Sequence, residues 1–326
     1  MASGGIEKNL FLPAAGAPKP RISDDQILVE VYSMALNPAD YKVPELGLIA
    51  KAMVPSPSIP GMDFCGKVAE TGNEVDSFRI GDMVFGAYIG SLGYGSLGQF
   101  IAVSKDGCVS MPDELRVDDA ASLGVAGLTA YQALKSKVKE GDKVFINGGS
   151  GGTGVFTIQI AKALGCHVTT SCSTTNVDLC KSLGADEVLD YKSADIVKQL
   201  GEKGQVFDLV VDNVGSPTNL YQVSHSFLVP TGKFVQVGMG IGLGPLKQLA
   251  SNMILPGFLG GGRRKYEMLI AKAKAEDFAQ LGAWMEAGKI RAVIDSVFEF
   301  DDAPKAFEKL KTGRAKGKIV VHVKKT

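Results

Sequence analysis

The spacing of apolar positions changes twice along the chain. Residues 27–31, 61–69, 82–87 and 99–103 are short apolar runs separated by Gly, Pro and Asp, which predicts strands of a compact, mostly β unit. From residue 117 a helical segment is followed by strand-like runs that alternate with helix-period segments. This alternation predicts βαβ units and a parallel sheet. The fold class that follows is α/β, with a β-rich domain beside a doubly wound one.

The predicted parallel sheet has five strands that are apolar on consecutive positions, as strands covered on both faces are. A long helix is predicted over residues 264–287, before a helix-ending Gly288. The tail returns to a strand-like pattern, and we expect it to join the N-terminal unit because so short a β stretch seldom forms a domain. The five strands are residues 144–147, 168–172, 188–191, 209–213 and 234–237.

Composition narrows the class of protein. At roughly 100 to 200 residues per domain, 326 residues suggest two domains. Lys+Arg and Asp+Glu are both 35, so no net charge draws the chain to nucleic acid or to an anionic membrane. The five cysteines form no C-x-x-C pair, which disfavours a disulfide framework or a zinc knuckle. With no signal-like start and no apolar stretch of ~18 residues, we predict a cytoplasmic protein without an integral membrane segment.

The most specific local signal is the glycine-rich run at residues 143–154 (KVFINGGSGGTG). It satisfies G-x-G-x-x-G between a predicted strand and a predicted helix, a context typical of dinucleotide binding. The first glycine permits the turn, the second lets the backbone approach a pyrophosphate, and the third lets the helix pack on the strand. The alternative is a turn that holds no ligand. The predicted cofactor-binding residues of the turn are Gly149, Ser150, Gly151, Gly152, Thr153 and Gly154.

The end of the second strand of this unit indicates which dinucleotide is bound. NAD-binding units place an Asp or Glu there to bond the ribose 2′-hydroxyl. In this chain no carboxylate occurs before Asp178, and Ser173, Thr174, Thr175 and Asn176 offer hydroxyl and amide donors instead. These residues favour NADPH over NADH, although no arginine accompanies them. They could also simply cap a helix, and both roles are compatible.

The three histidines, His167, His225 and His322, lie inside or beside apolar runs, and no two of them have metal-ligand spacing. Structural roles are expected for all three. The sequence therefore predicts no metal site and no histidine general base.

Seven motifs are spread over nearly the whole chain. They are residues 36–42 (LNPADYK), 59–63 (IPGMD), 81–84 (GDMV), 124–130 (GVAGLTA), the glycine turn, 182–186 (SLGAD) and 317–321 (GKIVV). Together they resemble the medium-chain dehydrogenase/reductase superfamily, specifically its zinc-free quinone oxidoreductase and enone (alkenal) reductase branch. The resemblance implies a discontinuous GroES-like catalytic domain, residues 1–116 and 263–326, and a Rossmann NADP(H)-binding domain, residues 117–262.

The same resemblance implies that a zinc site has been lost. Zinc-bearing relatives have a cysteine loop at Asn37-Pro38, Gly-His-Glu at residues 61–63, which are Gly-Met-Asp here, and a cysteine at Val125. A reductase without this Lewis acid needs an acceptor that is already activated, such as a quinone or an α,β-unsaturated carbonyl compound.

The resemblance implies an acceptor site against the nicotinamide face, and we hypothesise that Asn37, Tyr41 and Lys42 line it and offer donors to the carbonyl oxygen. Tyr41 is the preferred acid because a phenol can donate a proton and be reprotonated. Alternatively, Tyr41 fills the edge of the β unit and Lys42 is a solvated lysine. The remaining predicted cofactor contacts are Thr129, Tyr191, Asn213, Gly238, Phe258, Leu259 and Lys318.

Three functions are compatible with these residues. The first is NADPH-dependent hydride transfer, without zinc, to quinones or to the C=C bond of α,β-unsaturated carbonyl compounds. The second is a trans-acting enoyl reductase for thioester-bound intermediates, and the third is a non-enzymatic nucleotide sensor. The substrate is expected to be a small molecule, and the family suggests a homodimer.

Overall fold

The computed structural model describes residues 19–46, 58–89, 95–238, 243–254 and 261–324. Contacts divide the chain into two compact units. Unit 1 contains residues 1–128, 272–287 and 294–326, and unit 2 contains residues 129–271 and 288–293. The domain boundaries given above, and the catalytic and nucleotide-binding roles attached to them, stay predictions.

Unit 1 is built on a seven-stranded sheet. Its strands are β1 (Gln26–Ala35), β2 (Asp63–Thr71), β3 (Met83–Ala87), β4 (Phe100–Ser104), β5 (Cys108–Ser110), β12 (Ile294–Glu299) and β13 (Lys318–His322). The strand order is β12-β13-β1-β2-β3-β5, with β4 paired to β1. Because β13 pairs antiparallel with β1, the end of the described chain completes the N-terminal sheet.

Four helices accompany this sheet: α1 (Ala39–Lys42), α2 (Val117–Leu134), α8 (Ala275–Glu286) and α9 (Ala303–Lys311). The core packs Val29 and Phe64 of the sheet with Phe307 of α9. Helix α2 is interrupted at Gly124, where φ is −28° and ψ is −119°. The backbone around Gly124 is therefore not helical, which matters for the candidate site.

Unit 2 is built on a six-stranded sheet in which every pairing is parallel. Its strands are β6 (Lys143–Asn147), β7 (His167–Cys172), β8 (Glu187–Asp190), β9 (Phe207–Asp212), β10 (Leu228–Gln236) and β11 (Lys265–Met268), and its helices are α3 (Gly152–Ala163), α4 (Val177–Ser182), α5 (Ile196–Glu202), α6 (Leu220–Val223) and α7 (Leu243–Ile254). The strand order in the sheet is β11-β10-β9-β6-β7-β8. Following the chain, β7 and β8 are added on one side of β6, and β9, β10 and β11 are added on the other side. The carboxyl end of β6 is therefore the switch point where doubly wound sheets bind ligands.

All five strands predicted for this sheet are present, but the long helix predicted over residues 264–287 is wrong. Residues Lys265–Met268 form β11, which pairs with β10, and a helix begins only at Ala275. The Tyr266 ring lies 4.7 Å from that of Tyr221 and 6.1 Å from that of Phe234. Aromatic packing on the sheet therefore overrides a local helical pattern. No helix in the described ranges is long and apolar enough to cross a membrane.

Candidate active site

The glycine turn joins β6 to α3 in unit 2. A Cβ at Gly149 would overlap the Thr170 hydroxyl, and one at Gly154 would overlap the Gly148 carbonyl oxygen, so packing alone requires glycine at both positions. Gly151 is different, because the nearest atom to an added Cβ is 3.7 Å away. Helix α3 also begins without a side-chain cap, which leaves its first backbone amides available to an anion. The turn thus has the open backbone that a pyrophosphate needs.

The loop after β7 is hydrogen-bonded to this turn. The Asn176 amide donates to the Ser150 hydroxyl at 3.0 Å and to the Ser173 hydroxyl at 3.2 Å, and the Ser173 and Thr175 hydroxyls are 3.4 Å apart. The side-chain oxygen of Asn176 is buried and has no hydrogen-bond partner among the described residues. Four of the predicted cofactor contacts, Ser150, Ser173, Thr175 and Asn176, are therefore brought together.

Two charged residues beside this loop escaped the sequence prediction. The Thr174 hydroxyl donates to Asp190 at 2.6 Å, and this bond lowers the pKa of the exposed Asp190 carboxyl. Tyr191 donates its backbone N–H to Cys172, and the Lys192 ammonium lies 5.7 Å from the Tyr191 ring centre. The signal was available, since Asp190 ends the strand next to β7 and the ends of neighbouring parallel strands meet.

A row of buried polar side chains lies at the carboxyl ends of four strands; we call it the strand-end ladder and define it as Ser171, Asn147, Asp212 and Gln236. Ser171 donates to Asn147 at 2.7 Å, Asn147 donates to Asp212 at 2.8 Å, and Gln236 donates to Asp212 at 3.1 Å. Ser171 also accepts the Gly148 backbone N–H at 3.0 Å. The ladder, which sequence reasoning missed, therefore fixes the strand ends beneath the glycine turn.

Asp212 is the most heavily bonded member of the ladder. Besides its side-chain partners it accepts the backbone N–H groups of Val214 and Gly215 at 3.0 and 2.9 Å. Burial raises its pKa, and these hydrogen bonds oppose the rise. Next to it, Asn213 has two buried side-chain polar atoms without a partner in the described ranges. A Cβ at Gly238 would overlap the Asn213 carbonyl oxygen, so both predicted contacts, Asn213 and Gly238, lie together at the ends of β9 and β10.

The acceptor residues predicted from the sequence lie in unit 1, beside a buried group of charges that we call the lysine cluster: Asn37, Asp40, Asp63 and Lys318. The Lys318 ammonium, 2% exposed, donates to the Leu36 carbonyl at 2.9 Å, to the Asn37 side chain at 2.7 Å and to Asp63 at 3.0 Å. Lys318 was predicted to contact the cofactor. The structure places it in a strand of the unit 1 sheet, where all three of its N–H bonds have protein acceptors, and its contact with a cofactor stays a prediction.

The break in α2 serves this cluster. A Cβ at Gly124 would overlap the Asp63 carboxyl, and the backbone N–H of Val125 donates to Asp63 at 2.6 Å. The Asp63 carboxylate thus has a backbone donor on one oxygen and an ammonium on the other. Burial raises its pKa, and Lys318 is the strongest opposing influence.

Asp40 is the least satisfied member of the cluster. One of its oxygens accepts the Asn37 backbone N–H at 2.7 Å, and the other is buried without a partner among the described residues. Burial raises the pKa of Asp40 from 3.8 to about 7, with the neighbouring Asp63 carboxylate adding to the rise. Two carboxyls facing one ammonium are neutral as a group only when one carboxyl, Asp40, keeps its proton.

The remaining predicted residues differ in their surroundings. Tyr41 packs on the unit 1 core, its pKa is raised by burial, and the Lys311 ammonium lies 5.4 Å from its ring centre. Burial lowers the pKa of Lys42, and Thr129 is buried at the start of unit 2. Asn37 is buried, with its side-chain oxygen bound to Lys318 and one amide hydrogen directed to the Ala35 carbonyl at 3.3 Å. Phe258 and Leu259 lie outside the described residues.

Comparison with known proteins agrees with this architecture. Two family models match, the alcohol dehydrogenase GroES-like domain at residues 23–113 and the zinc-binding dehydrogenase at residues 183–321. Trans-enoyl reductase pgmF of Aspergillus terreus is 47% identical over 100% of this chain and 95% of that protein. The chloroplastic quinone-oxidoreductase QR1 of Triphysaria versicolor is 33% identical over 93% and 92%. The quinone oxidoreductase structure from Coxiella burnetii has a TM-score of 0.82 at 32% identity, covering 97% of this chain and 98% of that one.

A GroES-like β unit and a unit with an all-parallel, Rossmann-like sheet in one chain form the architecture of the dehydrogenase and reductase structures that it matches. The chain belongs to the medium-chain dehydrogenase/reductase superfamily, in its quinone oxidoreductase and enone reductase branch. It is an oxidoreductase of that superfamily, whose members bind NAD(P), and the open turn at Gly151 and the unpartnered Asn213 side chain fit such a cofactor.

One family model's name implies a zinc ion, but the side chains present here are not suitable zinc ligands. At the relatives' ligand positions stand the Asn37 amide, whose oxygen is bound to an ammonium, and the aliphatic Val125. Both Asp63 oxygens are already hydrogen-bonded, one to the Lys318 ammonium and the other to the backbone N–H of Val125. The described ranges contain no group of three or more His, Cys, Asp and Glu side chains that could hold a metal ion.

Proposed function

We propose that the protein transfers a hydride from NADPH to the C=C bond of an α,β-unsaturated carbonyl compound or to a quinone, without zinc. The ion pair of Lys318 and Asp63 carries this proposal, because the family resemblance implies zinc ligands near Asn37 and Asp63, and in this chain both side chains are bound to the Lys318 ammonium instead. A site with this donor set favours an acceptor whose own conjugation spreads the developing negative charge.

Each unit supplies part of the proposed chemistry. In unit 2, backbone amides at the start of α3 bind the diphosphate, and the Ser173 hydroxyl and the Lys192 ammonium bind the 2′-phosphate. NADPH, when bound, supplies the hydride. In unit 1, Tyr41 donates a hydrogen bond to the acceptor oxygen, and its raised pKa keeps the phenol protonated at neutral pH. The Asn37 side chain, which is hydrogen-bonded to Lys318, Ala35 and Asp63, holds this part of unit 1 in place.

A second candidate is a trans-acting enoyl reductase that reduces an enoyl group carried as a thioester. The observation that favours it is the 47% identity to a trans-enoyl reductase over the whole chain, compared with 33% to QR1. The two candidates share the cofactor, the hydride and the conjugated C=C bond. They differ only in what carries the acceptor carbonyl.

NADPH oxidation, followed by absorbance, tests the proposal with a simple enone, a quinone and an enoyl thioester of N-acetylcysteamine, each also with NADH. We expect NADPH oxidation with at least one acceptor in a preparation shown by elemental analysis to contain no zinc. Faster turnover of the thioester than of the enone would favour the second candidate. Nucleotide binding without oxidation of any acceptor would contradict the proposed function.

The role of Tyr41 is tested by Tyr41→Phe, with Tyr32→Phe in the same unit as the matched control. Loss of a positioned acid lowers kcat by about 10²-fold. The KM for NADPH should stay within about twofold, because Tyr41 is not assigned to the cofactor. Unchanged kcat in Tyr41→Phe would remove the residue from the mechanism.

A further inference from the structure

Two of the five cysteines lie in contact with each other in unit 2. Cys172 is the last residue of β7, Cys180 lies in α4, and both side chains are buried. The Cys180 thiol donates a hydrogen bond to the Cys172 sulfur. Both are free thiols. The proposed hydride transfer uses neither of them, so the pair is available for a different role.

The pair differs from the other three cysteines, all of which lie in the described ranges. Each of those donates to a methionine sulfur or to a backbone carbonyl oxygen, and burial raises the pKa of its thiol. At Cys172 the hydrogen bond from Cys180 lowers the pKa of the thiol. The thiolate is the form of cysteine that oxidants attack. Cys172 therefore has the reactive sulfur, and Cys180 has the sulfur beside it. The other three are Cys65, Cys108 and Cys166.

The chain between the two cysteines includes the loop predicted to bind the cofactor, residues 173–176. Through Asn176 this loop is hydrogen-bonded to Ser150 of the glycine turn at 3.0 Å. A covalent S–S bond is shorter than a hydrogen bond between the same two sulfurs. Forming it draws α4 towards the end of β7 and moves the loop between them. The donors of the loop then leave the positions that they hold in the reduced protein.

We propose that Cys172 and Cys180 are a redox-modification site, at which hydrogen peroxide forms a disulfide that weakens binding of the dinucleotide and a dithiol restores the reduced state. The effect on binding rests on the proposed function. The Cys172 thiolate attacks one peroxide oxygen, the O–O bond breaks, and hydroxide leaves. The Cys180 sulfur then attacks the Cys172 sulfenic acid, the S–O bond breaks, and the oxygen leaves with the thiol proton as water. Two thiols and one peroxide thus give one disulfide and two water molecules.

Burial determines how fast this oxidation can be. Cys172 is 1% exposed and Cys180 is 0% exposed, so peroxide reaches the sulfurs when α4 opens locally. Helix α4 has six residues, of which Cys180 alone is buried, and segments with few buried contacts open at low free energy. A ligand bound to the neighbouring loop opposes this opening. We therefore expect slow oxidation, and slower oxidation when ADP 2′-phosphate is bound.

Peptide mass spectrometry without prior reduction tests whether the bond forms. A protease that cleaves before Asp178 separates the two cysteines, so the disulfide joins two peptides with the loss of two hydrogens. We expect this linkage in wild-type protein treated with peroxide, and its disappearance after dithiothreitol. It should be absent from Cys172→Ser and from Cys180→Ser. Cys166→Ser, a buried cysteine of the same unit, is the control and should keep the linkage.

Equilibrium titration with ADP 2′-phosphate, which carries the adenosine, diphosphate and 2′-phosphate groups of NADPH, tests the effect on binding. The oxidised wild type should bind it about tenfold more weakly than the reduced wild type, because the moved loop loses one or two hydrogen bonds to the ligand. Dithiothreitol should restore the affinity. Cys172→Ser should bind the ligand equally before and after peroxide treatment.

Each other outcome overturns the inference. Oxidised wild type without the linkage, or with sulfinic acid on Cys172 instead, would show that no disulfide forms. A linkage that persists in Cys172→Ser would assign the bond to Cys166. A linkage that leaves the affinity unchanged would show that the bond does not act on the loop. If a variant does not fold, the wild-type measurements still decide. Failure of the reduced wild type to bind ADP 2′-phosphate would contradict the proposed NADPH binding itself, and this failure is distinguishable because it precedes any oxidation.

Discussion

The two units bury polar groups in opposite ways. The strand-end ladder of unit 2 contains one carboxylate, Asp212, and meets it entirely with neutral donors. The lysine cluster of unit 1 contains two carboxyls and one ammonium, and one Asp40 oxygen has no partner among the described residues. Removing a neutral partner from the ladder costs one or two hydrogen bonds. Removing one charged side chain from the cluster leaves its partner's opposite charge uncompensated in a medium of low dielectric constant. The lysine cluster should therefore be the more sensitive of the two to the loss of a partner, because that loss leaves a buried charge uncompensated.

The largest effect is expected for Lys318→Met. This change leaves the fully buried Asp63 without its cation, and the free energy of unfolding should fall by about 5 kcal/mol, the upper end for breaking a buried ion pair. Urea denaturation measures it. Lys316→Met, an exposed position two residues earlier, should change stability by less than about 0.5 kcal/mol. Adding Asp63→Asn to Lys318→Met should recover part of the loss, and additive losses would contradict the ion-pair argument.

Lys318 also shows where sequence reasoning stops. The motif GKIVV identified the family and the strand, because β-branched apolar runs predict a buried strand whatever surrounds them. The surroundings of the lysine depend on Leu36, Asn37 and Asp63, which are distant in sequence. Since most lysines are solvated, nothing local distinguishes this one. Asp190 differs from Lys318, because it ends a strand that the sequence predicts, and its contact with Thr174 follows from the pairing of β8 with β7.

The prediction at Asp40 concerns pH. Its pKa is raised from 3.8 to about 7 in the folded protein, so folding favours the protonated form. The resulting stability is fully present below pH 3.8 and is lost as pH rises through about 7. The shift corresponds to about 4 kcal/mol at ~1.4 kcal/mol per pH unit. The free energy of unfolding should therefore fall between pH 5 and pH 7.5 and then level off.

Asp40→Asn replaces the protonated carboxyl with a neutral group of the same shape and should remove this slope. Denaturant midpoints measured from pH 5 to pH 8.5 check it, and the variant should exceed the wild type in stability at the alkaline end. His322, whose pKa is raised by Asp118 and Glu299, titrates in both proteins and cancels in the difference. Parallel pH profiles for the two proteins would show that Asp40 is ionised throughout.

A change in the ladder should cost less and should not depend on pH. Ser171→Ala removes the donor to Asn147 and the acceptor of the Gly148 N–H, and we expect a loss of about 2 kcal/mol. The loss should be the same at pH 5.5 and pH 8, since neither lost bond involves a titrating group. Ser193→Ala, exposed in the same unit, is the control. A pH-dependent loss would mean that Ser171, acting through Asn147, influences the titration of Asp212.

The smallest effect concerns the choice between NADPH and NADH. Asp190 is an exposed carboxylate bonded to Thr174, beside the loop proposed to bind the 2′-phosphate, and Lys192 is the neighbouring cation. Exposed charges contribute at most about 1 kcal/mol, which is roughly fivefold. Asp190→Asn should therefore raise the ratio of kcat/KM for NADPH to that for NADH by about threefold, and Lys192→Met should lower it by a similar factor. If neither variant changes the ratio, the 2′-phosphate does not lie at the end of β7, and the proposed preference for NADPH loses its structural basis. The proposed binding of the diphosphate at the glycine turn would not be affected.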